Sequence, residues 1–215
     1  MSFLRNVLST VLALTAAAAG LAAAPAQASG LLPIPVQCEL GAETVLPWDG
    51  ATYDLRGTCG VVRLTGDDMT VTMPGATRLL VDGTGNSVTA KPLAEVQVIG
   101  AATSITAPTI QSLTVNAAGS AITVSGLVER AELMGSASSL TADTVNVLRL
   151  RGSDTVTARK AYRTRITGSG NTVGLTRADR LVLTGDGNTV TVARGRTTLR
   201  DRGDANVLDL RPRRG

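Results

Sequence analysis

The chain has 215 residues, a net charge of +4, no histidine, and only one Trp, two Tyr and one Phe. Without histidine it lacks the usual general base at neutral pH and the commonest metal-ligating side chain. With so few aromatics its core must come from Val, Leu, Ile, Ala and Thr, and it lacks the stacking platforms that bind nucleic acid bases.

Arg5 precedes an apolar, alanine-rich run from Val7 to Ala24, followed by Pro25 and "AQA" at residues 26–28. This order predicts a signal peptide over residues 1–28, cleaved between Ala28 and Ser29. An uncleaved membrane anchor is the alternative, because the apolar run just reaches spanning length. Alanine is only weakly hydrophobic, however, and no stop-transfer charge cluster follows. No cysteine stands at the cleavage point to carry a lipid, and no later segment has spanning character. The expectation is a secreted or cell-envelope protein with no stable membrane insertion after cleavage.

Residues 29–60 hold both cysteines, Cys38 and Cys59. In an exported chain an even count points to a disulfide, and only one pairing exists. Closing a loop of ~20 residues stabilises a fold by roughly 3 kcal/mol. These residues are expected to form an N-terminal cap.

From residue 61 to 210 the chain repeats. The apolar residues Val71, Val88, Ile105, Ile122, Leu140, Val156, Val173, Val190 and Leu208 are spaced by 16 to 18 residues. Two residues after each comes a second apolar column, from Met73 and Ala90 to Leu210. Seven before it runs a third, Leu64, Val81, Val98, Val115, Leu133, Ile166 and Leu183, with Leu150 one place out of step. Five after it sit Ala76, Leu93, Ile110, Leu127, Val145, Ala161 and Ala178. Glycine recurs in the turn at Gly66, Gly83, Gly100, Gly135, Gly168, Gly185 and Gly203, and asparagine three residues later at Asn86, Asn171, Asn188 and Asn206. Both residue types accept left-handed backbone angles cheaply, which suits a sharp corner.

A unit this short cannot bury its apolar side alone, whereas stacked units bury every inward column together. The expected fold is therefore all-β, a parallel β-solenoid (β-helix) of about nine 17-residue coils, of either hand. A meander of antiparallel hairpins closed by "TGDGN" is the alternative. Residues 211–215 form a basic C-terminal tail.

The segment "YDLRGTCGVVRLTGDDMTVTM", with the recurrent "GTGNSVTA", "GSGNTV" and "GDGNTVTV", resembles a domain-of-unknown-function family of secreted bacterial proteins built from G-x-G-N-T-V-T-V repeats. The resemblance covers roughly residues 50–210. It implies export and a β-solenoid-like fold, and it supplies no catalytic residues. The middle coils depart from it, because Thr103, Ser120, Ser138 and Asp154 stand where asparagine is expected.

The remaining candidates for chemistry are sparse. Asp67, Asp68, Asp82, Asp143, Asp154, Asp186 and Asp204 are the carboxylates open to a polysaccharide-active β-helix enzyme, but most fall in turns, where Asp serves the backbone. The seventeen-residue "GDGN" spacing does not match the nine-residue calcium repeat. No catalytic residue, metal or cofactor is therefore expected. The pairs Thr70 with Thr72, Ser87 with Thr89, Ser104 with Thr106, Ser139 with Thr141, Thr155 with Thr157 and Thr189 with Thr191 would line one outward face. That array resembles the T-x-T faces of ice-binding solenoids, although Ala121 and Gly174 break it and plain exposed strand residues are the preferred explanation.

Charge is uneven along the chain. Residues 1–145 carry 6 basic and 11 acidic side chains, and residues 146–215 carry 15 and 6. The basic end, with Arg163, Arg165, Arg177, Arg180, Arg194, Arg196, Arg200 and Arg202, is the candidate binding region. It suits an anionic envelope polymer or surface better than nucleic acid. It also suits protection of an open strand edge, or head-to-tail association of opposite ends. The expected function is a non-catalytic structural or binding module of the envelope or extracellular space. The polysaccharide-active enzyme and the ice-binding protein are the alternatives.

Overall fold

Short alternating stretches separated by Gly-rich turns become strands, and the near-constant repeat stacks them. The computed structural model describes residues 32–211. The expected signal peptide and residues 212–215 of the expected tail lie outside the described residues.

Among the described residues every regular element is a strand, and all the pairings are parallel, which rules out the hairpin meander. One ladder runs through β1 (Ile34–Cys38), β3 (Thr52–Gly57), β5 (Thr70–Met73), β7 (Ser87–Ala90) and β9 (Ser104–Ala107). The other runs through β2 (Glu43–Leu46), β4 (Cys59–Leu64), β6 (Ala76–Val81), β8 (Leu93–Val98) and β10 (Ile110–Val115). The longer strands β11 (Ala121–Leu133), β12 (Ser136–Leu150), β13 (Ser153–Ile166) and β14 (Thr172–Leu183) continue both ladders. The first then ends in β15 (Thr189–Val192) and β17 (Val207–Leu210), and the second in β16 (Thr198–Asp201).

The result is a β-solenoid of about 10 coils at roughly 17-residue spacing. The stacking reaches back into the segment expected as a cap, because β1 pairs with β3 and β3 with β5. Tyr53 takes the place in register with Val71, and Ile34 the place before it. The Cys38–Cys59 disulfide is present, tying the end of β1 to the start of β4 with Cα atoms 4.7 Å apart.

The repeat residues Val71, Val88, Ile105, Ile122, Leu140, Val156, Val173 and Val190 are all buried. A further inward column, Leu79, Val96, Leu113, Ala131, Leu148, Thr164 and Leu181, was not among those read from the sequence. Two register readings need correction. Leu150 stands in line with Leu133 and Ile166, and Val128, not Leu127, occupies the corner column beside Ile110 and Val145. The register shifts between Val124 and Leu127, so one added residue moves the corner along by one.

The turn motif also divides its labour differently from the expectation. A Cβ at the first glycine, as at Gly83, Gly100 or Gly185, would land on the carbonyl oxygen of the preceding coil, so this position is glycine for close stacking. The left-handed conformation belongs to the second position, at Gly85 (φ 68°), Gly170 (φ 69°) and Gly187 (φ 61°), and is held by alanine at Ala102, Ala137 and Ala205.

The third position is a buried polar ladder. The side-chain oxygens of Asn171, Asn188 and Asn206 each accept a hydrogen bond from the backbone N–H of the coil before, at 2.8–2.9 Å. In the middle coils Ser120, Ser138 and Asp154 do the same through their own side-chain oxygens, at 3.0–3.3 Å. At these three positions the loss of asparagine changes the side chain and keeps the ladder, whereas the Thr103 hydroxyl donates to Gly100 O at 3.1 Å.

Candidate functional site

Outside the core, the two ladders present different faces. Along the first, Thr70, Ser87, Ser104, Ala121, Ser139, Thr155, Thr172 and Thr189 stand in register, beside Thr72, Thr89, Thr106, Thr123, Thr141, Thr157, Gly174 and Thr191. Register adds Thr123 and Thr172 to the expected array, while Ala121 and Gly174 still interrupt it. None of these sixteen positions is charged.

The second ladder is where charge collects. One outward column reads Val61, Arg78, Glu95, Ser112, Arg130, Val147, Arg163, Arg180 and Thr198. The adjacent column, two residues on, reads Arg63, Leu80, Gln97, Thr114, Glu132, Arg149, Arg165, Val182 and Arg200. Strand alternation keeps these side chains out of the core, and parallel stacking brings equal positions of neighbouring coils to ~4.8 Å. Arginines far apart in the chain thereby become neighbours.

A recess of about 320 Å³ opens on this face, lined by Arg130, Arg149, Arg163, Arg165 and Arg180. A second, of about 360 Å³, lies against Arg149, Arg151, Arg165 and Thr167. Among the described residues, Arg130, Arg149, Arg163, Arg165, Arg180 and Arg200 make no ion pair, whereas Arg151 is held by Glu132 at 2.9 Å. Five donors per guanidinium are therefore available to an anion, in a fork that fits two oxygens at once.

The eight arginines expected as one basic end divide into three places. Arg163, Arg165 and Arg180 line the lateral recess, and Arg200 extends the same face. Arg177 lies apart, around a smaller cavity with Lys160, Tyr162 and Asp179. Arg194 and Arg196 are exposed in the connection between β15 and β16, and Arg202 follows β16. Sequence reading missed Arg130 and Arg149, which complete the recess. Counting charge along the chain separates Arg130 from the C-terminal group, and only the coil register reunites them.

The candidate carboxylates are mostly occupied by structure. Asp67 accepts the N–H of Thr84 at 2.6 Å, and Asp186 that of Asp204 at 2.7 Å. Asp82 pairs with Arg63 at 2.8 Å. Asp143 is bound by Arg159, whose hydrogen bonds, with a further one from Thr144, lower its pKa to about 2. Among the described residues, the side chains of Asp68 and Asp204 accept no hydrogen bond and lie exposed, and Asp154 is the buried one. Its Oδ2 has no hydrogen-bond partner, and desolvation raises its pKa against the opposing hydrogen bond from the Ser138 N–H.

Residues 155–205 match a family model described as Protein of unknown function (DUF3060), so this stretch is similar to a domain-of-unknown-function family. The matched stretch contains Arg163, Arg165, Arg180 and Arg200. No curated protein and no solved structure matches the chain.

Proposed function

We propose that this protein is an exported, non-catalytic β-solenoid that docks onto anionic polymers of the cell envelope through the lateral arginine face of its C-terminal coils. One observation carries the reading. Six arginines gather on one exposed face, and no carboxylate among the described residues pairs with them. Like charges held this close repel one another, and an arriving polyanion relieves that repulsion while gaining charge-assisted hydrogen bonds. The Cys38–Cys59 bridge is compatible with an oxidising, extracytoplasmic location.

The test is co-sedimentation of the purified protein with envelope fragments at low and high salt. Sedimentation at low salt should disappear at high salt, since exposed ion pairs are screened. It should also disappear in the quadruple variant Arg149→Ser, Arg163→Ser, Arg165→Ser, Arg180→Ser, with a thermal midpoint no lower than that of the parent, because mutual repulsion is relieved. Failure to sediment at low salt would remove the reading.

A second reading rests on the other face. Sixteen outward positions on eight successive coils carry no charge, whereas the outward columns of the second ladder are rich in charge. Strand propensity alone would treat both faces alike. The regular hydroxyl-and-methyl array supports binding to ordered water, and absence of thermal hysteresis and ice reshaping would dismiss it.

A further inference from the structure

We infer that the ligand of the arginine face is an acidic polysaccharide chain lying along the solenoid axis, one carboxylate meeting one arginine per coil. This rests on the anionic-docking reading and adds the shape and repeat of the ligand.

The two outward columns are filled in two alternating runs, Arg130–Arg149–Arg163 and Arg165–Arg180–Arg200, which meet on the third coil. Arg130 stands in the first column, Arg149 in the second on the next coil, Arg163 and Arg165 in both on the third, Arg180 in the first on the fourth, and Arg200 in the second on the fifth. The intervening places are taken by the half-buried Val147 and Val182. With ~4.8 Å between coils, the row spans about 19 Å from first to last and offers a guanidinium at every coil. A compact anion would engage only the recess and leave Arg200, at the end of the row, unused. A linear chain uses the whole row.

The spacing selects the kind of chain. In a uronic acid polymer each ring carries one carboxylate and the rise per ring is close to the strand spacing, so successive carboxylates reach a guanidinium on every coil. Arginine forks take both oxygens of a carboxylate, and Val147 and Val182 offer apolar ground for the C–H faces of the rings between. The same face has no lysine, so geometry and not charge alone governs the match.

The experiment measures binding of the full protein to oligomannuronates of one to seven rings at low salt, with tripolyphosphate and a poly(glycerol phosphate) as comparison ligands. Affinity should rise roughly two- to fivefold per ring, the range of an exposed ion pair, and level off near five rings. Arg130→Ser and Arg200→Ser, at the two ends of the row, should each bring the plateau one ring earlier. Equal or tighter binding of tripolyphosphate or poly(glycerol phosphate), or affinity independent of oligomer length, would overturn the axial acidic polysaccharide and leave anionic docking standing. Binding of no polyanion would overturn both.

Discussion

On the second ladder, the coils between residues 43 and 97 and those between 130 and 200 share backbone, register and exposure but treat their arginines differently. In the earlier coils Arg63 is shared between Glu43 and Asp82, both at 2.8 Å, and Arg78 meets Glu95 at 3.2 Å. In the later coils the equivalent columns carry six arginines and one carboxylate, Glu132, which is committed to Arg151. The fold tolerates either arrangement, so the unpaired state is not a requirement of the solenoid. The two ends differ as well. The first coils are bridged by a disulfide, and Pro33 and Pro35 near the edge lack N–H groups to offer a further strand. The last coil leaves β16 wholly exposed and Val207 62% exposed.

The largest expected effect tests that difference between the ends. Replacing both Cys38 and Cys59 with Ser should lower unfolding stability by about 3 kcal/mol, the loop-closure term for a bridge of this span. Hydrogen exchange should quicken first in β1 to β4 and leave β13 to β15 nearly unaltered, because solenoid coils interact mainly with their neighbours. Uniform loss of protection along the chain would show that the ends are coupled.

Next comes the charge comparison itself. Val147 lies in register between Arg130 and Arg163, and Val182 between Arg165 and Arg200. The double variant Val147→Glu, Val182→Glu gives the later coils the pairing of the earlier ones. It should weaken polyanion binding about tenfold or more while stability stays within roughly 0.5 kcal/mol. The converse triple variant Glu43→Gln, Asp82→Asn, Glu95→Gln frees Arg63 and Arg78 and should create weak, salt-sensitive binding where there was none. Unchanged binding in the double variant would disconnect the free arginines from the ligand.

Asp154 contrasts with Asn171 one coil later in the buried ladder. Its Oδ1 accepts the Ser138 N–H at 3.0 Å, but its Oδ2 has no partner, where Asn206, for comparison, donates Nδ2 to Gly185 O. A buried carboxyl whose folded pKa is raised binds its proton more tightly folded than unfolded. Its contribution is then fully present below the ordinary carboxylate value near 4 and is lost as pH rises through the raised one. Asp154→Asn should therefore stabilise the protein by about 2 kcal/mol at neutral pH. The advantage should shrink as pH falls towards 4. Urea midpoints across that range that show a constant gap would mean that Asp154 does not change ionisation there.

How much of this was legible depended on whether a residue's role followed from its own type. Val71 and its successors are buried because they are apolar at a fixed period, so the coils and their parallel stacking could be read directly. The disulfide followed from there being only two cysteines. Thr103, Ser120, Ser138 and Asp154 resembled defects, because polar residues in turns read as exposed, yet all four are buried. Thr164 escaped notice in the same way, since a hydroxyl interrupts the column between Leu148 and Leu181. The arginine face was half legible. Basic residues crowd the later sequence, but which of them meet is set by coil register, and a one-residue shift near Gly126 lies between Arg130 and its alignment with the rest.

The smallest expected effect concerns the turn position that precedes the polar ladder. Gly85 and Gly170 are left-handed at no steric cost, whereas Ala137 adopts φ 55° with a Cβ that crowds its own carbonyl. A non-glycine residue there costs roughly 1–2 kcal/mol, partly offset because alanine also restricts the unfolded chain. Ala137→Gly should therefore raise stability by about 0.5–1 kcal/mol, with Ala102→Gly and Ala205→Gly acting in the same direction. Differences of this size appear as a shift in the urea midpoint at constant slope. A loss of stability at Ala137 would mean that its methyl group packs well enough to outweigh the strain. The middle coils would then have gained in packing what they gave up in turn geometry, and alanine there would be a substitute for glycine and no longer a cost.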